Sequence, residues 1–495
     1  MTRTGRSISF TLAALLAVST ALTACGDAAP AGSSDTTAPA DTTAAETTVP
    51  AEYIPPDKDY NGEEFVFYTQ TRTGYAITKT NPISVETENA DVINDAVYKR
   101  TTMVEDLLNV KITALEAVDD NAQKFTTSVL AGDNTYQAGL IHLRAMKNVA
   151  GSSGLLADLR SIDGLDLGAS WINQSINDEI RIGDAQYMAI GDLCYYSLVS
   201  SGCLYFNKSM LDTYKLEDPY QLVRDGKWTI DKLTEMSAKC SADVNGDNVM
   251  NEKDRYGMSG SKTVMQQLLY SSGNRITQQN KSGDLELCLN NERTVKIVEK
   301  GLKLLSDFSV NAYPDNFKSV ANGDVWINVL LPMFRSNQLM FNFNWLFYAL
   351  ELRDMEADFG ILPMPKFDEA QDRYYSQLSD WWADLFCVPA TMENEALTAD
   401  VLNAMGYYSQ QYLYPEIVNR AVVDKAARDD DSAEMMQLIA DSIVFDMYYI
   451  YTFGNIMNAV DSGIPTGDNV FASKYAEMEP AAKTAIADVW GKIKG

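Results

Sequence analysis

Between residues 63 and 143 the apolar spacing switches repeatedly between every second position and every third or fourth. Glu63-Glu64-Phe65-Val66-Phe67-Tyr68 follows the turn Asn61-Gly62 and reads as a strand. Residues 90–108 carry Val92, Ile93, Val97, Val104, Leu107 and Leu108 at helical spacing. Residues 110–115 read as a second strand, 120–131 as a helix ending at Gly132, and 136–143 as a third strand. This βαβαβ order predicts a mostly parallel sheet covered by helices, an α/β fold. Further strands are expected at 186–190, 203–206, 359–362 and 385–388, with helices opening at Asn207 and spanning 229–241. The C-terminal part is helix-rich, at 396–414, 432–449 and 472–494. The roughly 440 residues after the N-terminal region exceed one compact core, so two or more lobes are expected.

The N-terminus constrains the compartment. Arg3 and Arg6 precede an apolar stretch from Ile8 to Leu22, a secretory signal over residues 1–24. The stretch is too short for an ordinary membrane span, which takes about 20 apolar residues. Leu22-Thr23-Ala24-Cys25 resembles the bacterial lipobox, which implies lipidation at Cys25. The bland alternative is an ordinary secretory peptide with an incidental cysteine. Residues 25–56 are almost all Ala, Thr, Pro, Ser, Gly and acid, a composition for a disordered tether. The expected location is the extracellular face of a bacterial cell membrane, with the membrane reached through the lipid anchor alone.

The net charge of −28 argues against nucleic acid as a partner, since phosphates are repelled. Beyond Cys25 the cysteines are Cys194, Cys203, Cys240, Cys288 and Cys387, an odd number without a CxxC pair, so this is no disulfide-built scaffold. His142 is the single histidine and sits in an apolar strand, which nearly excludes histidine triads and multi-histidine zinc sites. No P-loop, G-x-S-x-G or G-x-G-x-x-G pattern occurs. A glycosidase needs only two carboxylates, and 68 acidic residues leave that class open.

Four segments, in order, resemble the carbohydrate-type solute-binding proteins of bacterial ABC importers, the family that includes maltose-binding protein. They are Tyr187-Met188-Ala189-Ile190-Gly191-Asp192 with Leu204-Tyr205-Phe206-Asn207-Lys208, then Gly226-Lys227-Trp228-Thr229-Ile230-Asp231-Lys232-Leu233, then Phe359-Gly360-Ile361-Leu362-Pro363-Met364-Pro365-Lys366, and finally Arg428 to Met436. The resemblance covers about residues 60–490. It implies a two-lobe periplasmic-binding-protein-like (type II) fold with a ligand cleft between the lobes. The first lobe would take 57–190 plus 384–425, the second 196–378 plus 430–495. The implied function is capture of a small solute, a mono- or oligosaccharide, by hinge closure, and its delivery to ABC permease subunits. A monomer without catalytic residues is expected. The rival readings are a surface polysaccharide hydrolase and a sensory or adhesion lipoprotein.

Sugar recognition needs aromatic faces beside paired hydrogen-bonding groups. Ser379-Asp380-Trp381-Trp382-Ala383-Asp384 offers both, with Trp381, Trp382 and Asp384 as ligand candidates. Phe341-Asn342-Phe343-Asn344-Trp345 adds Asn344 and Trp345. Trp171, Tyr195, Tyr196 and Arg144 are further candidates. For each of the aromatics, burial in a lobe core is the competing reading. A calcium loop is also expected. Asp243, Asn245, Asp247, the Val249 carbonyl, Asn251 and Asp254 stand at positions 1, 3, 5, 7, 9 and 12, the spacing that wraps a structural Ca²⁺ in EF-hand-like loops. Asn248 stands at position 6 where Gly is usual, and an acidic turn without metal is the alternative.

Overall fold

The computed structural model describes residues 53–118, 121–151, 154–417 and 430–494. The signal segment, Cys25, the tether up to residue 52 and Arg428-Asp429 lie outside the described residues. Among the described residues no helix is long and apolar enough to cross a membrane.

A first sheet is built from β1 (Glu63–Gln70), β2 (Val110–Ala117), β3 (Ala138–His142) and β8 (Asp384–Cys387), in the order β8-β3-β1-β2. β1 runs parallel to β2 through eight register pairs, from Glu63↔Val110 to Gln70↔Ala117, and parallel to β3. Phe65, Phe67 and Tyr68 are fully buried beneath the covering helices. The helix Val92–Leu108 starts at Asp91, whose carboxylate accepts the Ile93 and Asn94 amides, and stops at Asn109 with φ 47°. β8 joins the edge antiparallel to β3, from Asp384↔His142 to Cys387↔Gly139.

The second sheet comprises β4 (Gly202–Asn207), β5 (Tyr256–Ser259), β6 (Leu339–Trp345) and β7 (Phe359–Pro363), in the order β5-β6-β4-β7. β4 is antiparallel to both neighbours, while β5 is parallel to β6. Leu204 and Phe206 enter one apolar cluster, and Cys203 and Tyr205 enter another. A strand buried on both faces has no polar side, which explains the unbroken run Cys-Leu-Tyr-Phe. Trp228, fully buried, donates its indole N–H to the Pro363 carbonyl at 2.9 Å and seats the helix Ile230–Ala238 against β7.

Two crossing segments link the sheets within the described residues, 191–201 and 378–383. They are joined by the antiparallel bridge Ser201↔Leu378. The Ser197 hydroxyl bonds both the carbonyl (2.8 Å) and the amide (2.9 Å) of Asp384.

Three expectations need correction. Residues 186–190 form no regular strand and make a bridge only at Ala189↔Phe386, because Gly191 is pressed onto Trp171 and Ile172. The helix expected at 432–449 ends at Asp441. The chain then pairs Ile443–Val444 with Ser376–Gln377, and buried Asp446 pins the turn by accepting the Ile276, Thr277 and Tyr448 amides. The helix from 396 gives way after Tyr408 to a π-turn, where Arg100 donates to Ser409. The strands β5 and β6 were not expected as such. In β6 two asparagines interrupt the apolar run; the Asn342 Oδ1 accepts from the Ser259 hydroxyl at 2.6 Å, while its amide nitrogen is buried without a partner among the described residues.

Candidate functional site: the cleft between the two sheets

Strand ends determine what faces the gap between the sheets. Two residues past β1, Arg72 reaches back under the first sheet and forms a forked ion pair with Asp384. Both side chains are about 97 % buried or more. Burial alone would lower the Arg72 pKa, but the Asp384 carboxylate outweighs it and the net shift is upward. The Arg72 guanidinium also lies 4.9 Å from the Tyr196 ring and donates to the Trp381 carbonyl.

At the end of β3 a more open arrangement appears. Arg144 pairs with Asp380 through two bonds, 3.0 and 3.1 Å. Its guanidinium lies 5.1 Å from the Trp381 ring, which in turn lies 4.8 Å from the His142 ring. Arg144 keeps 49 % of its side chain exposed and Asp380 29 %, so the pair can meet a solute. The His142 Nδ1 accepts the Ala145 amide, which places the ring proton on Nε2, buried without a partner. Burial first, then Arg72 and Arg144, pull the imidazole down to about 3. It is a neutral donor at any physiological pH.

From the second sheet, half-buried Trp345 ends β6 opposite Gly202 and beside Phe343. The loop after β1 leans across the gap. Its Gly74 (φ 104°) approaches Ile327, next to half-buried Trp326, and the Ala76 amide donates to Glu351. Several buried polar atoms between helix Lys262–Ser271, strand residues 376–377 and Tyr449 have no hydrogen-bond partner: both amide atoms of Gln377, Gln267 Oε1, Ser201 Oγ and the hydroxyls of Tyr270 and Tyr449. Such groups carry unmet hydrogen-bonding capacity into the heart of the molecule.

The candidate residues therefore divide. Trp381 and Trp345 remain half-buried at the gap, with Arg144 beside the first. Trp382 is buried edge-on against Tyr75 (5.3 Å) and Phe347 (5.0 Å). Asp384 is consumed by Arg72. Tyr195 and Tyr196 are buried, with hydroxyls on the Thr80 carbonyl. Asn344 is buried, its side chain accepting the Trp345 amide. Trp171 sits apart, edge-on to Tyr53 and Tyr407. Trp326 and Gln377 stand in no sequence pattern that marks them as site residues. Arg72 was not expected either, although a position just past the C-terminal end of a parallel strand is where clefts of such sheets open.

In the loop 243–254, Asp243 accepts the Gly246 and Asn248 amides, Asn245 the Asp247 amide, and Asp247 the Val249 amide. Fully buried Asp254 accepts the Val244 and Asn251 amides. Asn248 adopts φ 65°, the left-handed turn that position 6 requires. The donors fit calcium in type, being all oxygens. Among the described residues no three Asp, Glu, His or Cys groups converge, so Asp243, Asp247 and Asp254 are not gathered around one point, and their carboxylates accept loop amides instead.

No family model and no curated protein matches this chain in sequence. Solved structures do match. An ABC substrate-binding protein from Listeria monocytogenes, in complex with cycloalternan, superposes with a TM-score of 0.55 at 13% identity, over 87% of this chain and 99% of that one. This is the two-lobe solute-binding fold. The lacto-N-biose-bound galacto-N-biose-/lacto-N-biose I-binding protein of Bifidobacterium longum gives 0.54 at 9% identity, over 87% and 99%. The maltotriose-bound maltose/maltodextrin-binding domain from Bdellovibrio bacteriovorus gives 0.51 at 13%, over 87% and 100%. Trp345 ends a strand of the second sheet, and Trp381 lies three residues before the first-sheet strand Asp384–Cys387.

Proposed function

We propose that this chain is an extracellular solute-binding protein that captures a mono- or oligosaccharide in the inter-lobe cleft and delivers it to an ABC importer. One observation carries the reading: a half-buried tryptophan ends a strand of the second sheet, Trp345, another lies in the crossing segment beside the first sheet, Trp381, and an accessible Arg144–Asp380 fork lies beside the second. Indole faces stack on the C–H faces of a pyranose, while the guanidinium and carboxylate pair with its hydroxyls. The neutral His142 Nε2–H and the amide of Gln377 are donors that a ligand hydroxyl or an ordered water satisfies. Similar structures hold cycloalternan, lacto-N-biose and maltotriose, which supports a hydroxylated ligand.

Ligand shifts the population toward the closed form, because only there do both tryptophans touch it. The chain works as a monomer, without catalysis, held at the outer membrane face by a lipid on Cys25. A calcium ion in the loop 243–254 stiffens the second lobe.

Titration calorimetry against maltotriose, lacto-N-biose and a panel of further sugars tests the reading. One of them binds with a dissociation constant around micromolar, near 8 kcal/mol, and is recovered intact. Trp345→Ala and Trp381→Ala each weaken it by more than about 1 kcal/mol. A shortened sugar would instead establish a hydrolase. Cys25→Ser moves the protein from the membrane fraction to the medium, and millimolar calcium raises the melting temperature in the parent but not in Asp243→Ala.

A further inference from the structure

A second concavity of about 430 Å³ shares no lining residue with the Trp345–Trp381 pair. Its walls come from both sides of the hinge: Trp171 from the first lobe, Asp192 and Leu378 from the crossing segments, and Gln410, Tyr414 and Asp441 from the helical C-terminal part. Asp192 and Asp441 face the same space. The Tyr414 hydroxyl between them is raised by burial first and then by both of their charges. Among the described residues no lysine, arginine or histidine lines the cavity.

The lining dictates the class of occupant. Two acidic side chains, both ionised above about pH 7 and with no basic neighbour among the described residues, repel anions. A bare metal ion needs six or more oxygens close around it, and no three acids converge among the described residues. The remaining wall mixes Trp171, Tyr414, Leu378 and Ile443 with neutral polar residues such as Asn173 and Gln437, so it offers an aromatic and apolar surface beside uncharged hydrogen-bonding groups. Aromatic faces beside carboxylates suit an alkylammonium ion, which is attracted by the ring quadrupole and pairs with the acids.

We propose that this hinge cavity binds a small organic cation, an amine or quaternary ammonium, and that its occupation biases the angle between the lobes. The second effect follows from the walls: a molecule touching the first lobe, the crossing segments, residues 410–414 and residues 437–443 has contacts that change as the lobes rotate. The site itself is independent of the sugar reading; only its effect on closure rests on it.

The test is titration calorimetry of the full chain with choline and with putrescine, at constant ionic strength, in the parent, Asp192→Asn, Asp441→Asn and Trp345→Ala. Asp441 is exposed and its replacement leaves the fold intact. The expected result is saturable one-site binding of at least one amine, weakened tenfold or more in both Asn variants and unchanged in Trp345→Ala. A saturating amine then shifts the affinity of whichever sugar binds. Absence of saturable amine binding overturns the proposal. So does equal binding in both Asn variants, which would mark diffuse surface charge, and so does loss in Trp345→Ala, which would place the amine in the cleft. Amine binding without any sugar binding would sink the sugar reading and leave this site standing.

Discussion

Three buried charges show how differently the chain treats the same problem. Arg72 has Asp384, a complete counter-ion. Arg100, also fully buried, has none among the described residues; it spends donors on the Pro82 and Ile83 carbonyls and Ser409, and burial lowers it to about 9. Asp192 is buried beside one amide, Gln410, and is pushed up to about 7. Removing one partner of a buried pair strands the other, so Asp384→Ala costs about 3–5 kcal/mol in urea unfolding. The acid and the imidazole act oppositely with pH. His142 has a folded pKa below its unfolded 6.5, so its contribution is lost as pH falls from 6.5 toward 3. Asp192 has a folded pKa above its unfolded 3.8, so folding is favoured below 3.8 and the advantage fades as pH rises toward 7. Between pH 4 and 6.5 the two partly cancel. Asp192→Asn removes one side of that balance: the variant gains on the order of 3 kcal/mol at pH 8 and loses stability more steeply than the parent on acidification. Unfolding curves at pH 4, 6 and 8 measure both effects.

At the scale of elements, legibility followed from how local the cause was. β1, β2 and β3 and their helices could be read because each carries its own apolar period and caps. β6 could not, because Asn342 and Asn344 look solvent-facing until Ser259 and Trp345 supply partners. The Trp381-Trp382 step was legible as a place but not as a side: Tyr75 and Phe347, far away in sequence, decide which ring is buried. Backbone proximity adds a constraint that no residue pattern displays. A Cβ on Gly257 in β5 would lie 2.0 Å from the Ser237 carbonyl oxygen at the end of helix Ile230–Ala238. Backbone cannot swing away as a side chain can, so Gly257→Ala separates helix from strand. It costs about 1–3 kcal/mol in thermal or urea unfolding. Gly246→Ala, with nothing within 4 Å but φ 73°, costs only the milder left-handed strain of about 1 kcal/mol.

For the whole molecule, the two-lobe fold was legible from motif order, whereas the hinge cavity was not, since its walls come from five separated stretches of chain. Closure is measurable without knowing atomic detail. Small-angle scattering with a saturating sugar shows a smaller radius of gyration than without it, and Trp345→Ala, which removes one lobe's grip, needs more sugar to reach the same compact form. An unchanged radius at saturation would mean that binding does not close the cleft. The placement of β8 carries one more consequence. The first lobe finishes its sheet with residues 384–387, delivered only after the entire second sheet has been threaded. A chain emerging from its N-terminus therefore holds an unfinished, sticky edge at β3 for about half its length. The lobe that appears first is completed last, and a fragment stopping near residue 190 would lack the strand that seals it.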